Sequence, residues 1–161
     1  MAEGSRPGVD GLLAAARARI VRVEPETAWA AASAGSALIV DLRWSDERRR
    51  HGIAPGSIHI PRSVLEWRVD RASEWRNPFL EGREQLLLLL CAEGFSSSLA
   101  AASLLDLGLE GASDVVGGFT AWRRAGLPVV PSPADAGDGP PGMGPPDTGA
   151  LPAPPGADTL D

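Results

Sequence analysis

The chain holds a single cysteine, Cys91, directly after five consecutive leucines and at the head of a loop reading C-A-E-G-F-S-S. Gly94 lets such a loop turn tightly, so that successive backbone N–H groups face one point. Those donors, with the positive end of a helix starting just beyond Ser97, would favour an anion on the Cys91 sulfur. The thiolate is the form that attacks electrophilic sulfur, which makes Cys91 a candidate nucleophile. The hydroxyls of Ser96 and Ser97 are placed either to bond that sulfur or to cap the helix. The plain alternative is a cysteine used as a small buried hydrophobe. A core cysteine needs no anion-cradling loop, and the Gly and Ser pattern therefore favours the nucleophile.

Composition removes most other chemistries. All 15 basic residues are Arg, so a phosphate loop requiring Lys and Schiff-base catalysis on Lys are both excluded. No Tyr is present to act as a phenolic acid or base. One Cys forbids an internal disulfide, a C-x-x-C pair and a multi-thiolate metal site, and the two His, His51 and His59, match no ligand spacing. Neither a metal nor a cofactor is expected.

The net charge of −6 is unevenly placed. Residues 131–161 carry five Asp and no Arg, which leaves the preceding 130 residues at −1. Neither part has the basic footprint that nucleic acid or an anionic membrane requires. The Arg48, Arg49, Arg50 run reads as one solvated helix face. Residues 12–16 are too short for the apolar core of a signal peptide, and no stretch approaches the ~20 apolar residues of a membrane span. A cytoplasmic location with the thiol kept reduced is the expectation.

These residues need a scaffold, and the chain between its ends supplies alternating elements. Strands are expected over 19–23, 37–42, 57–60, 86–90 and 112–116. Helices are expected over 26–34, 46–51, 63–69, 98–107 and 119–125, with 75–83 as loop. The five-leucine run is too short for a buried helix and suits a strand covered on both faces, the mark of a parallel sheet. The alternation predicts an α/β domain with an open parallel sheet, and Cys91 falls at the carboxyl end of a strand, where such sheets bind ligands. Fifteen of the 31 residues from Pro131 on are Pro or Gly, a segment expected to stay disordered.

With these pieces in place the chain resembles the single-domain rhodanese-like sulfurtransferases. The resemblance runs over roughly 20–129: I-V-D-L-R with Asp41 and Arg43, P-G-S-I-H-I-P at 55–61, the Cys91 loop, then G-G-F-T-A-W and G-L-P-V. It implies a five-stranded parallel sheet with helices on both faces; the alternation of elements and the composition set this domain at 9–130, between a flexible 1–8 and the acidic tail 131–161. It also implies that Cys91 takes up a sulfane sulfur as a persulfide and passes it to a thiophilic acceptor, a protein thiol among the candidates. Carried over by position, Ala92, Glu93, Gly94, Phe95, Ser96 and Ser97 hold the persulfide. Asp41 and Arg43 form a fold-stabilising pair. Gly117, Gly118 and Trp122 support the loop, with Trp122 in the core.

Two departures stand out. The family's loop often carries Arg where this chain has Ser96, leaving Glu93 as the loop's one charge. A carboxylate facing the pocket would repel a dianion such as thiosulfate, so that donor is expected to turn over poorly. The family's G-H-I-P-G is here G-I-A-P-G at 52–56. A phosphatase of related fold would need Arg six positions after the cysteine, and Ser97 stands there. A weakly active or non-catalytic binding module is the alternative function.

Overall fold

The five leucines form a strand with neighbours along both edges and helices over both faces, which is why no polar residue interrupts them. In the computed structural model, which describes residues 6–81 and 86–133, this strand (β4, Leu86–Leu90) lies between β2 (Ala37–Asp41) and β5 (Ala112–Val115). The edges are β1 (Arg22–Val23) and β3 (Ile58–His59), giving the order β1-β5-β4-β2-β3 with every pairing parallel. Ala37 registers with Leu86 and Asp41 with Leu90, so the carboxyl ends of β2 and β4 are level.

Alternate residues feed two cores. Leu87, Leu89 and Cys91 join Leu38 and Val40 on one face, packed with Leu65 and Val69 of α4 (Leu65–Val69) and Ala100, Ala101 and Leu104 of α5 (Ser96–Asp106). Leu88 and Leu90 join Ile39 and Val115 on the other, packed with Ala28 of α2 (Pro25–Ser33) and Phe119 and Trp122 of α6 (Gly118–Arg124). Leu88, Leu89 and Leu90 are fully buried, each side chain contributing about 1.5–3 kcal/mol. The expected sheet with helices on both faces is the observed one. The remaining helices are α1 (Gly8–Arg19), which packs on α5, and α3 (Ser45–His51).

Several expectations change in detail. No helix was expected before Arg19, yet α1 fills that region, and the strand expected over 19–23 shortens to Arg22–Val23. Its Ala, Leu and Arg residues favour helix, but only Ala16 is buried, so the sequence carries little of the apolar periodicity that marks a packed helix. Helix α5 begins at Ser96, and Ser97 sits in its first turn instead of capping it. The stretch read as loop contains a 3₁₀ turn, Pro78–Leu80, that buries Phe79 and Leu80. Gly8 already belongs to α1, whereas the first five residues and all but the first three of the acidic tail lie outside the described residues. At the tail's root, Ile53 and Val130 exchange two backbone hydrogen bonds.

Candidate active site

Cys91 leaves β4 at its carboxyl end and is 5 % exposed. Its Sγ accepts a hydrogen bond from the Gly94 N–H at 3.1 Å. In turn the thiol donates to Ser97 Oγ at 3.2 Å. Gly94 has φ +84°, and a Cβ there would lie 2.7 Å from the Gly117 nitrogen. The turn that aims the 94 amide at sulfur therefore requires glycine twice over, by conformation and by space.

The loop is fastened to the start of α6 by backbone alone. Phe119 N–H donates to the Cys91 carbonyl at 2.8 Å, and Thr120 N–H to that of Ala92 at 3.0 Å. A Cβ on Gly118 (φ +60°) would meet the Cys91 carbonyl oxygen at 2.5 Å. Gly117 and Gly118 thus support the loop through close backbone approach. Trp122 is fully buried on the opposite face of the sheet, edge-on to Trp29 and donating from Nε1 to the Pro128 carbonyl.

From the other side the loop is held by groups the sequence reading did not single out. The Gly94 carbonyl accepts from Arg17 Nη2 at 2.8 Å and Arg22 Nη2 at 3.1 Å. Asp114, wholly buried on β5, takes a forked pair of bonds from Arg22 and one hydroxyl bond each from Ser97 (2.9 Å) and Ser98 (2.7 Å). Arg17 Nε completes the cluster by donating to Ser98 Oγ at 3.1 Å. A carboxylate inside an apolar strand must find a cation, and that was the available signal for Asp114. Its partner, 92 positions away, becomes its neighbour only through the pairing of β1 with β5.

Asp41 and Arg43 form the expected pair, buried at the carboxyl end of β2. Arg43 Nε and Nη2 bond the two Asp41 oxygens at 3.0 and 2.7 Å, and the Arg43 guanidinium lies 3.7 Å from the Phe119 ring centre. Arg48, expected on a solvated face with Arg49 and Arg50, is instead buried and adds a third bond to Asp41. Arg43 also reaches the candidate pocket. A cavity of about 430 Å³ beside the thiol is walled by Cys91, Ala92, Ser96, Leu42, Arg43, Trp44, Glu47, Pro61, Arg62 and Ser63. Glu93 and Phe95 are exposed and are not part of that wall. The cavity's charges are instead Arg43, Arg62 and Glu47, so the Glu93 repulsion expected against thiosulfate loses its geometric basis. Another cavity, about 370 Å³, opens against Leu86 and Ala112 at the opposite end of the sheet and carries no thiol or hydroxyl. Among the described residues no cluster of His, Cys, Asp and Glu could hold a metal ion.

A lone cysteine at a strand's carboxyl end, under a glycine-pinned loop and beside a cavity, invites comparison with known proteins. The model of the rhodanese-like domain matches residues 24–125. The chain belongs to the rhodanese-like domain family. Among curated relatives, the thiosulfate sulfurtransferase GlpE of Actinobacillus succinogenes is 29 % identical over 107 residues, covering 66 % of this chain and 87 % of that protein. GlpE of Vibrio cholerae is 45 % identical over a shorter match covering 34 % of this chain and 53 % of that one. Among solved structures, a Rhodopseudomonas palustris protein of unknown function, described as a possible tyrosine phosphatase, superposes with a TM-score of 0.71. It is 34 % identical, and the match covers 78 % of this chain and 96 % of that one. The polysulfide-sulfur transferase homodimer of Wolinella succinogenes shares the fold at 22 % identity and a TM-score of 0.59, covering 76 % and 87 %. Asp41, Arg43, the Cys91 loop and Asp114 all fall inside the stretch matched to the rhodanese-like family, and Arg22 lies two positions before it.

Proposed function

We propose that this rhodanese-like domain is a sulfurtransferase that carries sulfane sulfur on Cys91. The supporting observation is the thiol itself: nearly buried, hydrogen-bonded to the Gly94 amide, yet forming part of the wall of a 430 Å³ cavity. The Cys91 thiolate attacks the sulfane sulfur of a donor, forming an Sγ–S bond as the donor's S–S bond breaks. With thiosulfate, the bonding pair departs with sulfite. An acceptor thiolate then attacks the outer sulfur, takes it as its own persulfide, and returns Cys91 as thiolate. The loop amides from Ala92 to Ser97 hold the persulfide's negative charge, as N–H groups at a helix start do for other anions. Arg43, paired with Asp41, and Arg62, paired with Glu66, are the cations in the cavity wall that an anionic donor would meet, beside Glu47.

The acceptor is a thiophilic small molecule or a protein thiol, and the chemistry needs no cofactor. A persulfide cycle requires the thiol to be kept reduced, which suits the cytoplasm. A phosphatase reading lacks the Arg that would clamp phosphate from within the loop, since Ser97 occupies its place. Thiocyanate formation from thiosulfate and cyanide tests the proposal. Catalytic turnover that disappears in Cys91→Ser is expected, and turnover retained by that variant would refute it. A binding module would give no thiocyanate with any sulfane donor.

A further inference from the structure

We infer that Asp114, acting through the Ser97 hydroxyl, holds resting Cys91 in its protonated form. The proton count along the chain of bonds leads there. Asp114 Oδ2 can only accept, so the hydroxyl protons of both Ser97 and Ser98 point at it, at 2.9 and 2.7 Å. With its one proton committed, Ser97 Oγ can offer the sulfur only a lone pair, and the thiol donates to it at 3.2 Å. A thiolate would need that hydroxyl reversed. Asp114 can release it, because the forked bonds from Arg22 and the bond from Ser98 remain.

One hydroxyl with two settings thus separates a quiet thiol from an armed thiolate. Asp114 is a positioning residue in this scheme, since it does not touch the sulfur. The other charged groups around Cys91 are Arg43, Glu47 and Arg62 in the cavity wall, with Arg17 and Arg22 on the Gly94 carbonyl. None of them contacts Ser97 Oγ among the hydrogen bonds of the described residues. The inference rests on the sulfur-carrier reading for its role in turnover, while the bond chain itself exists whatever the protein transfers.

Alkylation of the full chain by neutral iodoacetamide, followed against pH, tests it. Asp114→Asn frees the Ser97 proton and should raise the rate at neutral pH about fivefold, the worth of one hydrogen bond. The gain should vanish at high pH, where the thiol is ionised in both proteins. A gain that persists at every pH would mean a loosened loop, and no gain would mean no hold; either overturns the inference. In a Ser97→Ala background the same substitution should change the rate by less than about twofold, because the intermediary is gone. An equal gain in both backgrounds would also overturn it. Should Asp114→Asn fail to fold, Ser97→Ala alone must speed neutral-pH alkylation, and an unchanged or slower rate decides against the proposal. Thiocyanate formation is scored separately, so its absence would strike the sulfur-carrier reading and leave the alkylation result standing.

Discussion

At the scale of single residues, position relative to the cavity decides what a charge can do. Glu93 sits in the loop by sequence but outside the cavity wall in space, and solvent screens an exposed charge strongly. Glu93→Gln should therefore leave thiosulfate kcat/KM within about twofold of the parent, an effect well under ~1 kcal/mol. Steady-state kinetics with thiosulfate would check this, and a severalfold improvement would return Glu93 to the pocket. Arg43 is the opposite case, buried between Asp41 and the Phe119 ring. Arg43→Ala leaves the Asp41 carboxylate to Arg48, and should cost about 3 kcal/mol in urea unfolding. Cys91 and its loop were legible because Gly94 and the serines have a local purpose that a core cysteine lacks. Asp114 was not, because its meaning comes from Arg22 on a strand whose place beside β5 no local pattern encodes.

At the scale of elements, the Cys91 loop is held from two sides, and each can be tested. The start of α6 presses backbone on backbone against it. Gly118→Ala would drive a Cβ to 2.5 Å from the Cys91 carbonyl at a positive φ, with no flexible side chain there to give way. A loss of stability of about 2 kcal/mol or more is expected, together with at least a tenfold fall in sulfur transfer. Intact transfer in a folded Gly118→Ala protein would show that the loop does not depend on this contact. On the other side α1 sends Arg17 to the Gly94 carbonyl and Arg19 to Asp106 of α5. The hydrogen bond from Arg19 holds the Asp106 carboxyl below the usual carboxylate range, partly offset by desolvation. Because that carboxyl is lowered, its contribution to docking α1 is present above the ordinary carboxylate range and is lost as pH falls through the lowered value. Amide exchange in α1 should be faster in Asp106→Asn than in the parent at neutral pH, with the difference closing in strong acid. Helix α1 itself was the least legible element. It buries one residue, so its amphipathic signal is weak, and its purpose lies in Arg17 reaching the Gly94 carbonyl 77 positions away and Arg19 reaching Asp106 of α5.

At the scale of the whole molecule, strand order converts a linear pattern into a site. The alternation of elements and the five-leucine run made the parallel sheet and the edge bearing Cys91 readable, since both follow from local periodicity and the rule for ligands at carboxyl ends. The order β1-β5-β4-β2-β3 was not readable, and it brings Arg22 to Asp114 on one side of Cys91 and Asp41 with Arg43 to the other. The central claim is that Cys91 carries the sulfur, and the intact mass of the full chain reads that directly. Treatment with a sulfane donor should add one sulfur atom, and a following acceptor thiol should remove it, with Cys91→Ser showing no change at either step. A sulfur adduct on the Cys91→Ser protein, or none on the parent with any sulfane donor, would contradict the account.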